Sequence, residues 1–294
     1  MERKDSMDLV GAAGMVGFAA TLAFNQVVIK VTNAGFGPVF AAGFRSILAV
    51  GLLLLWCLLS GRKLNGLRAA LGPGLLLGVL FSAEFVFLFN ALDMTSVSRA
   101  SILFYSMPVW LTIIANFTLP GERLSRRRAL GLVLAMAGVI WALADKDSQS
   151  GGTWAGDLLA LCGAFAWAGI ALTVRLTRVS EVSAESQLFY QLGVSAVVLT
   201  AISPLFGDLM RAPEALHWAG MGFQVVVACM GYLFWLYLMA IYPASDIAAF
   251  SFLSPVLAVG FGWALLDEPV GLGFLGALAL VAVGIVLINR RKRV

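Results

Sequence analysis

The chain matches itself. With Ile247–Val259 laid under Ala100–Thr112, Pro255 falls on Pro108 and Ser245 falls on Ser98. A one-residue slip further along sets Glu268 on Glu122 and Gly284 on Gly138. Upstream, Arg175 meets Lys30 and Gly156 meets Gly11, so an offset of 145 to 147 residues holds over nearly the whole length. That is a tandem duplication. Two copies of one unit this large must share a fold and meet at an interface, which limits the architecture more than any single motif does.

Each copy is intensely apolar. Of the 294 residues, 61% are hydrophobic and 12% charged, with a mean hydropathy of +0.93. A soluble domain carries about 25% charged residues, so this chain lacks the polar surface that water requires. Apolar runs joined by short polar segments are what a bilayer demands, because each backbone amide there must be satisfied within its own helix. The spans read Leu9–Lys30, Gly37–Leu59, Leu71–Leu92, Ser98–Thr118 and Ala129–Ala144 in the first copy. The second copy has Gly156–Leu176, Ala184–Phe206, His217–Ala240, Ile247–Leu266 and Leu272–Asn289. The fold class expected is all-α integral membrane, with ten transmembrane helices in two five-helix repeats, residues 1–144 and 156–294, and a linker at 145–155.

Charge distribution tests the count. If the amino terminus is cytoplasmic, 15 of the 20 basic residues fall on the cytoplasmic side. Only Lys30, Arg99, Lys146 and Arg211 fall outside, and Arg45 lies within a span. A missed or invented helix would flip every later loop and erase this bias, so the positive-inside rule supports ten spans and two cytoplasmic termini. Arg3-Lys4 before an apolar run resembles a secretory signal. The run is too long for a signal core, however, and it has a counterpart in the second copy, so the first helix is expected to stay. Five spans per copy is odd, and the copies therefore enter the membrane from opposite sides. Inverted repeats of this kind hold a ligand near the midplane, which points to transport.

Pro108 and Pro255 stand mid-span at matching positions of the fourth and ninth spans. A mid-helix proline removes a backbone hydrogen bond, so the pair is read as kinks that double as hinges. Arg45 and Glu84 are the costly residues: each lies about 12 Å from the outer end of its span at a 1.5 Å rise per residue. Their counterparts, Gln191 and Gly231, are both uncharged, as expected if the two charges form a structural ion pair. Glu84 is also a candidate for binding substrate. Further candidates are the in-span polar residues Asn25 and Asn90, and the aromatics Tyr105, Trp167, Tyr232, Trp235 and Tyr237. Gly131, Gly138, Ala277 and Gly284 suggest a tight seam between the fifth and tenth spans. Cys57, Cys162 and Cys229 lie in apolar runs without CxxC spacing, and the single histidine, His217, sits at a membrane edge. No metal site, cofactor or enzyme signature is expected. The partners expected are a small-molecule substrate and the bilayer, not nucleic acid; a homodimer is compatible with the layout, and a monomer is sufficient.

The repeat, with Arg45 in its second helix and the series Ser98/Pro108/Glu122/Gly138 and Ser245/Pro255/Glu268/Gly284, resembles the EamA-type repeat of the drug/metabolite transporter superfamily. The resemblance covers both halves and is nearest to the bacterial aromatic amino acid exporters. It implies a central cavity lined by helices one, three, four, six, eight and nine, and export of amino acids or related metabolites across a bacterial inner membrane. A phosphate-sugar or nucleotide-sugar exchanger of the same superfamily is the alternative. That chemistry would need more intramembrane cations than Arg45. Gln191 in place of a second Arg45 implies unequal roles for the halves.

Overall fold

The computed structural model describes residues 7–118, 125–144, 152–242, 250 and 253–289. Helices run α1 Leu9–Asn33, α2 Pro38–Ser60, α3 Leu71–Met94, α4 Val97–Phe104, α5 Met107–Thr118 and α6 Arg126–Ala144. The second half has α7 Trp154–Leu176, α8 Ala184–Ile202, α9 Ala215–Val226, α10 Tyr232–Ile241, α11 Leu253–Leu266 and α12 Leu272–Asn289. Eight segments are long and apolar enough to cross a membrane, and two shorter apolar helices at Leu253–Leu266 and Leu272–Ile288 complete a ten-span protein. Among the described residues there is no β-strand, only an isolated antiparallel bridge between Phe36 and Met210.

Local chemistry starts and stops the helices. Asp8 accepts from Gly11 N at 2.8 Å, Ser96 from Arg99 N at 3.1 Å and Thr153 from Gly156 N at 3.1 Å. Each occupies one of the backbone donors that a helix start leaves open. Pro38 opens α2, where its missing N–H is no loss, and Gly61 closes it at φ 66°, a left-handed conformation that glycine adopts without strain.

Among the described residues, two spans depart from a regular α-helix. The fourth breaks at Tyr105–Ser106, between α4 and α5. Pro108 cannot donate to the carbonyl four residues back, and Ser106 Oγ instead caps Leu103 O at 2.5 Å while accepting from Trp110 Nε1 at 3.0 Å. The eighth span carries a π turn at Val227–Gly231 between α9 and α10. Pro255 lies in the first turn of α11. Residues 247–249 and 251–252, expected to begin the ninth span, lie outside the described residues, as do Glu122, Ser245 and the 145–151 part of the linker.

Helix pairing follows the duplication. α6 packs on α12, α2 on α8 and α4 on α11, each a helix meeting its own repeat counterpart. The pairs α3–α7 and α1–α9 are related by the same symmetry, yet the first is much the more extensive. In the α6–α12 seam, a Cβ added at Gly131 would lie 2.7 Å from Gly284 O, and one at Gly138 would lie 2.7 Å from Ala277 O. The two backbones are therefore in contact, and only glycine fits. Lipid-facing positions are apolar, including Leu54, Leu55 and Leu58 of α2, whereas Arg45, Arg99, Asp157 and Glu268 are buried.

Candidate functional site

The end of the bundle that carries the linker is laced by polar contacts between helices. Glu268, just past α11, accepts from Val97 N at 2.6 Å, Ser98 N at 2.9 Å and Ser98 Oγ at 2.6 Å. One carboxylate of the second repeat thus caps the start of α4 in the first. It suits that position because the open N–H groups of a helix start favour negative charge. Arg99 binds Asp157 through Nε at 3.2 Å and Nη2 at 2.5 Å, both side chains buried, and Asp157 also accepts from Thr95 Oγ1 at 2.9 Å. Lys30 Nζ donates to Leu92 O at 2.9 Å and Thr95 O at 2.7 Å, the open carbonyls at the end of α3. Arg211 pairs with Asp93 at 2.8 Å. Lys30, Arg99 and Arg211 are three of the four basic residues that charge counting places on this side. Each has a partner inside the protein and so does not weigh against the charge rule.

Beneath this belt, at the break in the fourth span, side chains from both repeats converge. Ser101 Oγ donates to Gln26 Oε1 at 3.2 Å. The Tyr105 hydroxyl faces Gln26 and Ser254, placing α1, α4 and α11 around one point. The Trp167 ring stacks on Phe104 at 5.0 Å and 20° and lies edge-on to Tyr105 at 6.0 Å. Glu84 is 6% exposed and lies within electrostatic range of Tyr105. The buried Oδ1 of Asn25 has no hydrogen-bond partner. Tyr105 and Trp167, with Glu84 in electrostatic range, therefore form a half-polar centre with one aromatic wall, and Asn25 stands next to Gln26 on α1. Such a centre can hold a small ligand bearing both charged and apolar groups.

The other candidates fall elsewhere. Asn90 Nδ2 donates to Val86 O of its own helix at 2.7 Å, which satisfies it locally. Tyr232 lies 5.9 Å from Trp235 and accepts from Gln191 Nε2 at 3.1 Å, next to the π turn and among the residues joining α2, α8 and α10. Tyr237 is 46% exposed and is not part of an interior wall. Arg45 and Glu84 make no direct ion pair among the described residues. The Arg45 guanidinium instead lies 3.9 Å from the centre of the Phe85 ring and 5.2 Å from that of Phe89. The physical reason is packing: α2 and α3 each pack more on α8 than on each other, so side chains at one level need not meet. Sequence reasoning missed Gln26 and Ser254. A lone Gln or Ser in an apolar run carries no signal, and only the repeat interface brings them to Tyr105.

Comparison with known proteins agrees with this architecture. The model of the EamA-like transporter family matches twice, at residues 9–144 and 154–290. The "Uncharacterized transporter YoaV" of Bacillus subtilis is 23% identical over 289 residues, covering 95% of this chain and 98% of that protein. The "Probable amino-acid metabolite efflux pump" of Escherichia coli is 28% identical over 267 residues, 87% of each chain. The Escherichia coli "Uncharacterized inner membrane transporter YedA" is 26% identical over 273 residues, covering 90% of this chain and 86% of its own. A crystal structure with a TM-score of 0.67 and 18% identity, covering 94% of this chain and 96% of that one, shares the fold. With ten apolar spans and the family pattern present in both halves, the chain belongs to the EamA-like transporter family of the drug/metabolite transporter superfamily and is a multi-pass membrane transporter.

Proposed function

We propose that this transporter is a secondary exporter of small metabolites, with amino acids bearing aromatic or other apolar side chains as its main substrates. The observation that carries this reading is the centre at the fourth-span break, where Gln26, Ser101 and Tyr105 of the first repeat meet Ser254 of the second. A site held by both repeats is the one place whose access both can control. The Phe104–Trp167 stack supports an apolar or aromatic substrate group, and Glu84 with the Asn25 carbonyl supports an amino group. The amino-acid efflux name of a 28% identical relative supports the same class. Glu268 and Arg99 hold the linker end shut, which favours loading of the site from the opposite end. With termini in the cytoplasm of a bacterial inner membrane, loading is then cytoplasmic and release external. Release requires the α4–α11 contact to part, and the break beside Pro108 lets α4 move without α5. Pro255 is assigned the equivalent hinge in the second repeat.

The test is counterflow in proteoliposomes preloaded with single unlabelled amino acids, against labelled phenylalanine and leucine. Saturable exchange of either supports the reading. Exchange of sugar phosphates or nucleotide sugars, with no amino acid exchanged, would replace it with the alternative chemistry.

A further inference from the structure

Arg45 is 2% exposed, and its guanidinium lies against the rings of Phe85 and Phe89. Its Nε and Nη2 are enclosed and have no hydrogen-bond partner. Those two nitrogens share one edge of the guanidinium, and their N–H groups point side by side. This edge is the fork that matches the two oxygens of a carboxylate. Buried polar groups are paired in nearly all native structures, so an enclosed cation with its whole fork empty calls for a missing acceptor. Phe85 and Phe89, their ring centres 5.8 Å apart, flank the guanidinium on the side of α3, and the fork edge is left as the recognition surface.

The neighbours define the rest of the ligand. Glu84 lies in the electrostatic field of Arg45 without touching it. A zwitterion brings a carboxylate for the fork and an ammonium group for the acceptors, and adds no net charge to the site. α1 and α3 run in the same direction and are tied level by the bond from Asn33 Nδ2 to Phe89 O at 2.8 Å. Asn25 is eight residues below Asn33 and Glu84 five below Phe89, a difference of about one helical turn at 1.5 Å per residue. Arg45, lying over Phe85, is at the same depth. Two acceptors, the Glu84 carboxyl and the unpartnered Asn25 Oδ1, thus lie within about one helical turn of the depth of the empty donor fork. The second repeat has no such set, because its Arg45 counterpart, Gln191, already donates to Tyr232.

We propose that the side-on edge of Arg45 binds the carboxylate of a zwitterionic α-amino acid, and that Glu84 and the Asn25 carbonyl receive its ammonium group. This rests on the central-site reading above and adds which residue receives the substrate's carboxylate. Arg45 thereby changes from a structural ion-pair partner to a specificity-determining residue.

The decisive measurement needs no variant. In wild-type proteoliposomes, exchange of labelled L-phenylalanine is competed with phenylalaninamide, phenethylamine, 3-phenylpropionate and unlabelled L-phenylalanine. The amide and the amine lack the carboxylate, and phenylpropionate lacks the ammonium; each is expected to compete at least tenfold more weakly than phenylalanine. Amide or amine competing as well as phenylalanine overturns the Arg45 assignment and leaves amino-acid export standing. Exchange of neither phenylalanine nor leucine overturns both. A second arm uses Arg45→Lys, which keeps the charge and loses the fork, with folded protein selected by size exclusion. Its KM for phenylalanine should rise at least tenfold, and phenethylamine should compete with it as well as before. An unchanged KM in folded Arg45→Lys would overturn the proposal.

Discussion

Glu268→Gln tests whether the cap on α4 is a latch of the closed state. The carboxylate accepts three hydrogen bonds of 2.6 to 2.9 Å, two on one oxygen and one on the other. Glutamine keeps one carbonyl oxygen and turns the other into an NH₂ group facing a donor. One charge-assisted bond is lost and two become neutral, against about 1.5–3 kcal/mol for a bond to a charged group and about 1 kcal/mol for a neutral one. Even with charge-assisted bonds near the low end of that range, a net loss of about 3 kcal/mol follows. If the cap exists only while the linker end is closed, that loss shifts the equilibrium toward opening by roughly a hundredfold, since 1.4 kcal/mol is tenfold. The reporter is Ser101→Cys, one turn below the cap and buried against Gln26, in a background with Cys57, Cys162 and Cys229 replaced. An impermeant maleimide added to intact cells should label it much faster when Glu268→Gln is present. If labelling is unchanged while thermal stability falls, the cap stabilises all states equally and the latch argument fails.

Three further outcomes are expected. A cysteine at Ser148, in the same cysteine-free background, should label with the impermeant reagent in intact cells while one placed near either terminus should not; the reverse pattern would invert the topology. Gly138→Leu should abolish folded yield, because even a Cβ would lie 2.7 Å from Ala277 O, whereas Gly17→Leu, with nothing within 4 Å of its added Cβ, should fold normally. Equal yields would remove the α6–α12 seam from the argument. Pro108→Ala restores a backbone donor at the break between α4 and α5 and should slow exchange severalfold with little change in substrate affinity, measured as counterflow rate against half-saturation; an unaltered rate would make the break a packing feature only.

The ten spans were legible because length and hydropathy alone decide them in a bilayer. The α6–α12 seam was legible because a small-residue face has no other use between helices. The break in the fourth span was legible to within three residues: Pro108 marks it, and the chain opens at Tyr105–Ser106, where the missing donor is felt. The site was only half legible. Glu84, Asn25, Tyr105 and Trp167 stood out as polar or aromatic residues in apolar runs. Which of them meet depends on helix rotation, and a 1.5 Å rise carries no information about that. Depth arithmetic put Arg45 level with Glu84, and the level was sound, but the contact went to Phe85 instead. Glu268 on Ser98 joins residues 170 apart in the sequence, and no local pattern could show that contact.

The backbone contact between α6 and α12 also says something about how the molecule is made. Gly131, Ala135 and Gly138 form a bare strip along α6, and what covers it is α12, the last of the described helices. Lipid tails fill such a strip poorly, so through most of synthesis α6 sits in the membrane with its most specific surface waiting. The first repeat is complete in sequence long before it is complete in space. A chain stopped anywhere before Leu272 would carry that waiting strip permanently, a local and recognisable mark of an unfinished transporter for any membrane quality-control protease that reads small-residue helix faces.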